Sequence, residues 1–376
     1  MKSMKKLSAL LLMLCVLCGG CSRAETTSAT PLTDCAILHE TEFGGVFIAS
    51  TIEDFNALGY EYGDSVDILF SNGYALRDQP YYNGYYTRSG ESQLVGYPGY
   101  DYIDVCINKG DDLWVIAGLT ESDTASVCLH ERGKYLDIQN ARDIHYFDER
   151  EKYGSDGIFA NFRSVSVTGI APDTLYRSAS PCDNQHNRAP YVDALMQAAG
   201  VRCVLDLADD DGKIAGYLAD ESYATPCFQA LYEAGNVIPL ALNVNFGSEA
   251  FRQKLANGLV ALSEHQGPYL VHCTEGKDRT GFVCMLLEAL CGADYGEIVA
   301  DYMITYRNYY GITQAADPQR YAVIVEDVLD PMLQIVAGDG VDIQTADLKP
   351  CAEAFLLNAG MTQAQISALE ARLSGE

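Results

Sequence analysis

Positive charge is scarce in this chain. Its 376 residues hold 25 Lys and Arg against 52 Asp and Glu, a formal net charge of −27. Nucleic acids and anionic membrane surfaces are held by clusters of basic residues, so neither suits so acidic a molecule. Long apolar runs are also missing. The run Leu7 to Leu17 is too short for a spanning helix, which needs about 20 apolar residues. No internal repeat is evident. Tyrosine and cysteine, in contrast, are plentiful at 25 and 13.

Lys2, Lys5 and Lys6 precede Leu7 to Leu17, and small residues follow. That order reads as a secretory signal over residues 1–21, with a basic start, a short apolar core and a processing site. Cys18-Gly19-Gly20-Cys21 resembles the bacterial lipobox, in which Cys21 would be lipidated and become the mature N-terminus; Cys18 stands where that pattern prefers leucine. A diacylglyceryl group brings the two chains that stable anchoring requires. Residues 22–34 are rich in Ser, Thr and Ala and are expected to form a flexible tether. The protein is therefore expected to be exported, as a cell-surface lipoprotein or in secreted form. Cys15, Cys18 and Cys21 fall in the leader, while Cys106, Cys203, Cys284 and Cys291 sit in apolar runs. Few or no disulfides are expected.

Residues 35–150 alternate apolar and polar side chains between Gly, Asn and Asp punctuation. Examples are Gly45-Val46-Phe47-Ile48-Ala49, Ser65-Val66-Asp67-Ile68-Leu69-Phe70 and Tyr102-Ile103-Asp104-Val105-Cys106-Ile107, and Ser71-Asn72-Gly73 reads as a hairpin turn. A β-rich domain follows, a small barrel or sandwich. Its tyrosines are better explained by packing on a strand face than by a binding surface. Asp148 to Asp156, highly charged, is the expected linker to a second domain over residues 155–376.

In that second domain the period changes. Strand-like runs near Leu175–Ser180, Arg202–Leu207, Val237–Asn243 and Tyr269–His272 alternate with helical stretches near 191–199, 215–234, 248–264 and 280–290. Such alternation predicts an α/β fold, a mostly parallel sheet flanked by helices. The strand ending at His272 runs into Cys273-Thr274-Glu275-Gly276-Lys277-Asp278-Arg279-Thr280-Gly281 and then a buried helix. Thr274 to Arg279 can turn their amides inward as an anion nest, and the helix start adds free N–H groups and the positive end of its dipole. A thiol at the lip of such a nest ionises readily, which makes Cys273 the candidate nucleophile. Arg279 can fold back and hold two phosphate oxygens with its planar fork. Gly276 lets the backbone pass close to the anion, and Gly281 lets the helix pack against the strand. The hydroxyl of Thr280 can bond the thiolate and help it leave.

Cys-x5-Arg-Thr after a histidine and an apolar strand resembles the cysteine-dependent protein tyrosine phosphatase superfamily. The whole loop, from His272 to Gly281, is most similar to a bacterial branch with a Gly-Lys-Asp-Arg-Thr loop, whose members act on phosphotyrosine, phosphoserine/threonine and phosphoinositides. Asn161-Phe162-Arg163, Leu175-Tyr176-Arg177-Ser178, Val204-Leu205-Asp206-Leu207 and Asp301-Tyr302-Met303 also resemble segments of that branch. The resemblance covers about residues 155–376. It implies a phosphomonoesterase that works through a cysteinyl-phosphate, with no metal or cofactor. Substrates would be phosphorylated proteins or phosphoinositides. Thr274, Glu275, Gly276, Lys277, Thr280 and Gly281 would line the phosphate, and His272 would support the loop through its ring nitrogens.

The general acid is the open point. Phosphatases of this kind carry an aspartate some tens of residues before the nucleophile, but Val237 to Ser248 has no acidic residue. Asp278 is the first candidate for proton transfer to the leaving oxygen, with a structural partner for Arg279 or Lys277 as an equally weighted role. Asp206 and the run Asp209-Asp210-Asp211 come second. Lys277 is expected to face a second phosphate, as in phosphoinositide phosphatases. Arg163 and Arg177 are expected to form structural salt bridges. Two other readings compete: a sulfurtransferase or arsenate reductase with an anion loop around cysteine, and a vestigial phosphate-recognising protein at the cell surface.

Overall fold

A computed structural model of the chain describes residues 28–375. The expected signal and lipidation site at Cys21 lie outside the described residues. Seven strands come first: β1 (Leu32–Glu40), β2 (Gly45–Ile48), β3 (Ser65–Phe70), β4 (Ala75–Tyr82), β5 (Ser92–Val95), β6 (Ile103–Ile107) and β7 (Thr124–Glu131). They close into a barrel in the order β1-β2-β6-β5-β4-β3-β7, with β7 returning to β1. Residues two apart point to one face of a strand. Val46 and Ile48, Val66 and Ile68, Ile103 and Val105, and Ala125 and Val127 therefore all fall inside, around Phe55, Tyr60 and Tyr81. The barrel-or-sandwich expectation resolves to a barrel. Its first strand takes up residues 32–34, so the end of the expected tether is β-strand, with Leu32 opposite Val127.

Five further strands build the second sheet: β8 (Arg163–Ser164), β9 (Leu175–Ser178), β10 (Cys203–Asp206), β11 (Val237–Pro239) and β12 (Tyr269–His272). Their order is β11-β10-β12-β9-β8; all neighbours are parallel except β8, which runs antiparallel to β9. The central strands β10 and β12 are buried at every position, as a sheet covered on both faces demands. Leu175, Cys203, Leu205, Tyr269 and Val271 face a core shared with helices Glu249–Glu264 and Asp278–Leu290 and the C-terminal helices. Tyr176, Val204, Leu270 and Val237 face the opposite core, against helices Ala189–Ala199, Asp211–Leu218 and Pro226–Glu233. The helical stretch expected over 215–234 is thus two helices. Pro226, which lacks an N–H, opens the second of them and cannot extend the first.

The expected linker is not a loose one. Asp148 accepts from Arg188 at 3.0 Å and lies 3.2 Å from His186. Arg150 opens a short 3-10 helix, Arg150–Lys152, and pairs with Asp156. The barrel side is tied on further by Arg88 to Asp327 at 2.8 Å, and by Arg320 to the carbonyl of Asn140 at 3.1 Å. Ten cysteines lie among the described residues and all are free thiols. No helix of the described residues is long and apolar enough to cross a membrane.

Candidate active site

β12 ends at His272 in the middle of the sheet, and the chain turns at its carboxyl end before helix Asp278–Leu290 begins. Ligands of parallel sheets bind at that end. The helix is buried from Thr280 to Leu290, so its first turn is fixed under the loop. What shapes the loop is the fate of its carbonyls. Ser180 donates its amide to Thr274 O at 3.0 Å. The Tyr309 hydroxyl donates to Glu275 O at 2.7 Å. Asn161 and Arg177 both donate to Gly276 O, each at 3.2 Å. Three successive carbonyls are held outward. In a planar peptide the next N–H points the opposite way, so the amides of Glu275, Gly276 and Lys277 face inward.

Gly276 is required where it stands. Its φ is +68°, and a Cβ there would lie 2.2 Å from the carbonyl oxygen of Ser178. Gly281 is similarly confined, since a Cβ would meet the Tyr302 ring at 2.6 Å. Arg279 folds back over the loop as expected, donating to Leu242 O at 3.1 Å and to the Thr274 hydroxyl at 3.3 Å. Cys273 is 3% exposed and unbridged at the start of this ring. The Thr280 hydroxyl is buried with no hydrogen-bond partner among the described residues.

Behind the loop stands a buried ionic cluster. Arg177 reaches Asp301 at 2.6 Å and Arg163 reaches it at 3.0 Å. Asn161, at φ +50°, also bonds the Thr305 hydroxyl at 3.1 Å. Burial pushes the Asp301 carboxyl up, but Arg163 and Arg177 override it and bring it down to about 2. Arg163 and Arg177 are thus the structural salt bridges expected of them, and Arg177 also pins Gly276.

His272 departs from expectation. Neither ring nitrogen has a hydrogen-bond partner among the described residues; the nearest acid is Asp206, 3.7 Å from Nε2. Burial lowers its pKa to about 4, against the opposing pull of Asp209 and the Cys273 backbone. The imidazole is therefore neutral. His272 instead ties β12 to β10 through its carbonyl, which accepts from Leu207 N at 3.0 Å. Beside it, burial raises the carboxyls of Asp206 and Asp209, and each keeps one oxygen without a partner among the described residues. Asp210 instead caps helix Asp211–Leu218 and Asp211 lies in its first turn, so the run is not one site. Cys182, Asp206 and Asp209 offer ligand atoms within 4.8 Å of one another, the one buried group of described residues with metal-ligating spacing.

Asp278 is bound on both sides, to Lys109 at 3.1 Å and to Lys277 at 3.9 Å. Burial pushes its carboxyl up, yet Lys109, Lys277 and Arg142 together hold it well below the usual carboxylate range. Lys277 donates to Glu275 at 2.8 Å and to the Tyr310 hydroxyl at 3.4 Å. Tyr146 completes that rim by donating to Glu275 at 2.9 Å, and its ring lies 5.2 Å from Tyr309 and 5.8 Å from Tyr310. Lys109 and Tyr146 carried no signal in the sequence, because both lie before residue 155 and outside any motif.

A cysteine and an arginine close a ring of backbone donors at the carboxyl end of a parallel sheet, an arrangement that can hold an oxyanion beside a thiol. The chain belongs to the tyrosine phosphatase family, whose model matches residues 136–375. No curated protein matches it closely enough to count as a relative. Among solved structures it is similar to an uncharacterized conserved protein from Thermotoga maritima, at 14% identity over 27% of this chain and 39% of that one, with a TM-score of 0.23. It is also similar to P. aeruginosa TpbA, solved in complex with phosphotyrosine, at 20% identity over 47% of this chain and 96% of that one, with a TM-score of 0.25.

Proposed function

We propose that the protein hydrolyses phosphotyrosine through a cysteinyl-phosphate. The observation that carries this reading is the outward anchoring of three loop carbonyls beneath an arginine that spans from Leu242 to Thr274. Cys273 attacks phosphorus while Arg279 and the inward amides bind the equatorial oxygens, where charge develops. The P–O bond to the leaving group breaks, and water then releases phosphate from sulfur, with Thr280 bonding the departing thiolate. Tyr146, Tyr309 and Tyr310 give the rim an aromatic wall suited to a phenyl phosphate. A phosphoinositide would have to separate Lys277 from Glu275 before its second phosphate could be held, so phosphotyrosine comes first in this reading.

A proton donor must carry a proton at working pH. Asp278, held ionised between two lysines, is then an organiser of the loop. The Asp206–Asp209 pair, raised by burial beside the same loop, becomes the candidate acid. The lipobox-like start motivates the further reading of an exported protein anchored through Cys21, testable by detergent partitioning of the wild type against Cys21→Ser.

Hydrolysis of p-nitrophenyl phosphate and of a phosphotyrosine peptide tests the activity. The expected result is turnover that persists with chelator and disappears in Cys273→Ser. Turnover that survives Cys273→Ser, or none in the wild type, would overturn it.

A further inference from the structure

The barrel reaches into the phosphate loop at one point. β6 ends at Ile107, and the turn that follows carries Lys109 at φ +51°, a left-handed conformation that a lysine adopts only at a cost. The turn is closed by Gly110 N donating to Ile107 O at 3.1 Å. It sends the Lys109 side chain, only 15% exposed, onto Asp278 in the first turn of the helix behind Cys273. The same ammonium lies 5.4 Å from the ring of Phe246, which stacks on Phe282 of that helix at 4.6 Å. Two residues on, Asp111 accepts from Asn245 at 2.8 Å. A strained residue, a cation and a neighbouring hydrogen bond all converge on the loop.

A carboxylate in a loop built for a dianion opposes its ligand unless it is neutralised. Asp278 is faced by Lys109 and Arg142 from the N-terminal side, by Lys277 and Glu275 from the loop, and by Tyr302 and Tyr306 from helix Tyr295–Tyr310. Lys277 is already shared with Glu275 at 2.8 Å, and Arg142 acts only at longer range, its own hydrogen bond going to Tyr86 O. The hydrogen-bonded counter-ion of Asp278 therefore comes from the other domain. We propose that Lys109 is a positioning residue of the phosphate loop, neutralising Asp278 so that the barrel becomes part of the anion site. The inference rests on the phosphatase reading of that loop. It gives the β-domain a role: the catalytic domain alone lacks the hydrogen-bonded counter-ion of Asp278.

The test uses the full chain with Lys109→Met, Lys109→Arg, Asp278→Asn, the double variant Lys109→Met/Asp278→Asn, and Asp111→Ala. Lys109→Met is expected to lower kcat/KM for p-nitrophenyl phosphate at pH 7 by about tenfold, the scale of one modest charge interaction. The loss should shrink as pH falls and the unbalanced carboxylate takes up a proton. Lys109→Arg should restore most of the activity. Asp111→Ala, which breaks the adjacent contact and spares the ammonium, should leave the pH profile unchanged. In the Asp278→Asn background, Lys109→Met should cost little more. Inorganic phosphate, titrated by calorimetry, reads the loop even if the wild type turns nothing over, and Lys109→Met should weaken it by a similar factor. Phosphate binding that depends on Lys109 without turnover would sink the phosphatase reading and leave this one standing. An unchanged Lys109→Met, the full loss repeated in the Asp278→Asn background, or the same loss in Asp111→Ala would overturn the role assigned to Lys109.

Discussion

Arg177 lies 2.6 Å from Asp301, sealed from water, and its other amino group donates to the carbonyl of Gly276. A buried charge pair couples the phosphate loop to helix Tyr295–Tyr310. Removing one member leaves the other uncompensated, which costs about 3–5 kcal/mol in such settings. Asp301→Asn should lose stability on that scale in urea unfolding. The Asp301 carboxyl titrates near 2 when folded and near about 3.9 in a free chain. Its contribution is therefore fully present above about pH 4 and lost as pH falls toward 2. Acid unfolding should be less steep in Asp301→Asn than in the wild type over that interval.

Gly276→Ala places a methyl group where the Ser178 carbonyl stands and demands a left-handed φ from alanine. The loop must move by about an ångström, and displacements of that size cost about 10²-fold in rate. The expected outcome is a near-complete loss of turnover with weakened inorganic phosphate binding, while circular dichroism stays unchanged. Wild-type kinetics in Gly276→Ala would show that the loop carbonyls are not held as described.

The proton donor can be located by leaving group. Asp209→Asn should slow phenyl phosphate far more than p-nitrophenyl phosphate, whose phenolate leaves without help, the contrast reaching about 10²-fold. Asp278→Asn should slow both by similar factors, since an organiser of the loop acts before the leaving oxygen matters. The reverse pattern would return Asp278 to the acid's role.

His272 and its acidic neighbours shift stability in opposite directions with pH. Burial lowers the imidazole to about 4 from its usual value near about 6.5, so its share of stability is present above that value and lost as pH falls. Asp206 and Asp209 are raised to about 6, so the folded state binds more protons than the unfolded chain between pH 4 and 6 and gains stability as pH falls. Urea midpoints at pH 4.5 and 6.5 should show the wild type gaining on His272→Asn as pH rises. A constant difference would mean that the ring is charged or solvated.

The candidate loop was legible because its motif is local. Cys273, Gly276, Arg279 and Gly281 fall within nine residues of one another, between a buried strand and a buried helix, so one short stretch of sequence carries the whole motif. The parallel sheet was legible for a similar reason, since β10 and β12 are short strands, apolar up to the Asp206 and His272 that end them and buried at every position. What the chain order concealed were contacts made over long separations. Lys109 meets Asp278 across 169 residues, and Tyr146 meets Glu275 across 129. His272 was assigned a hydrogen-bonding role on resemblance, but its nearest acid, Asp206, stands 3.7 Å from Nε2 and neither ring nitrogen finds a hydrogen-bond partner among the described residues.

Because β7 returns to β1, the barrel has no terminal strand among the described residues at which another chain could extend the sheet. Any macromolecule that docks there has to meet its turns or the side chains of its outer wall. One of those turns, Lys109 to Asp111, is already committed to the neighbouring domain. A visitor competing for that turn would take Asp278's counter-ion with it, so occupancy of the barrel would be felt at sulfur.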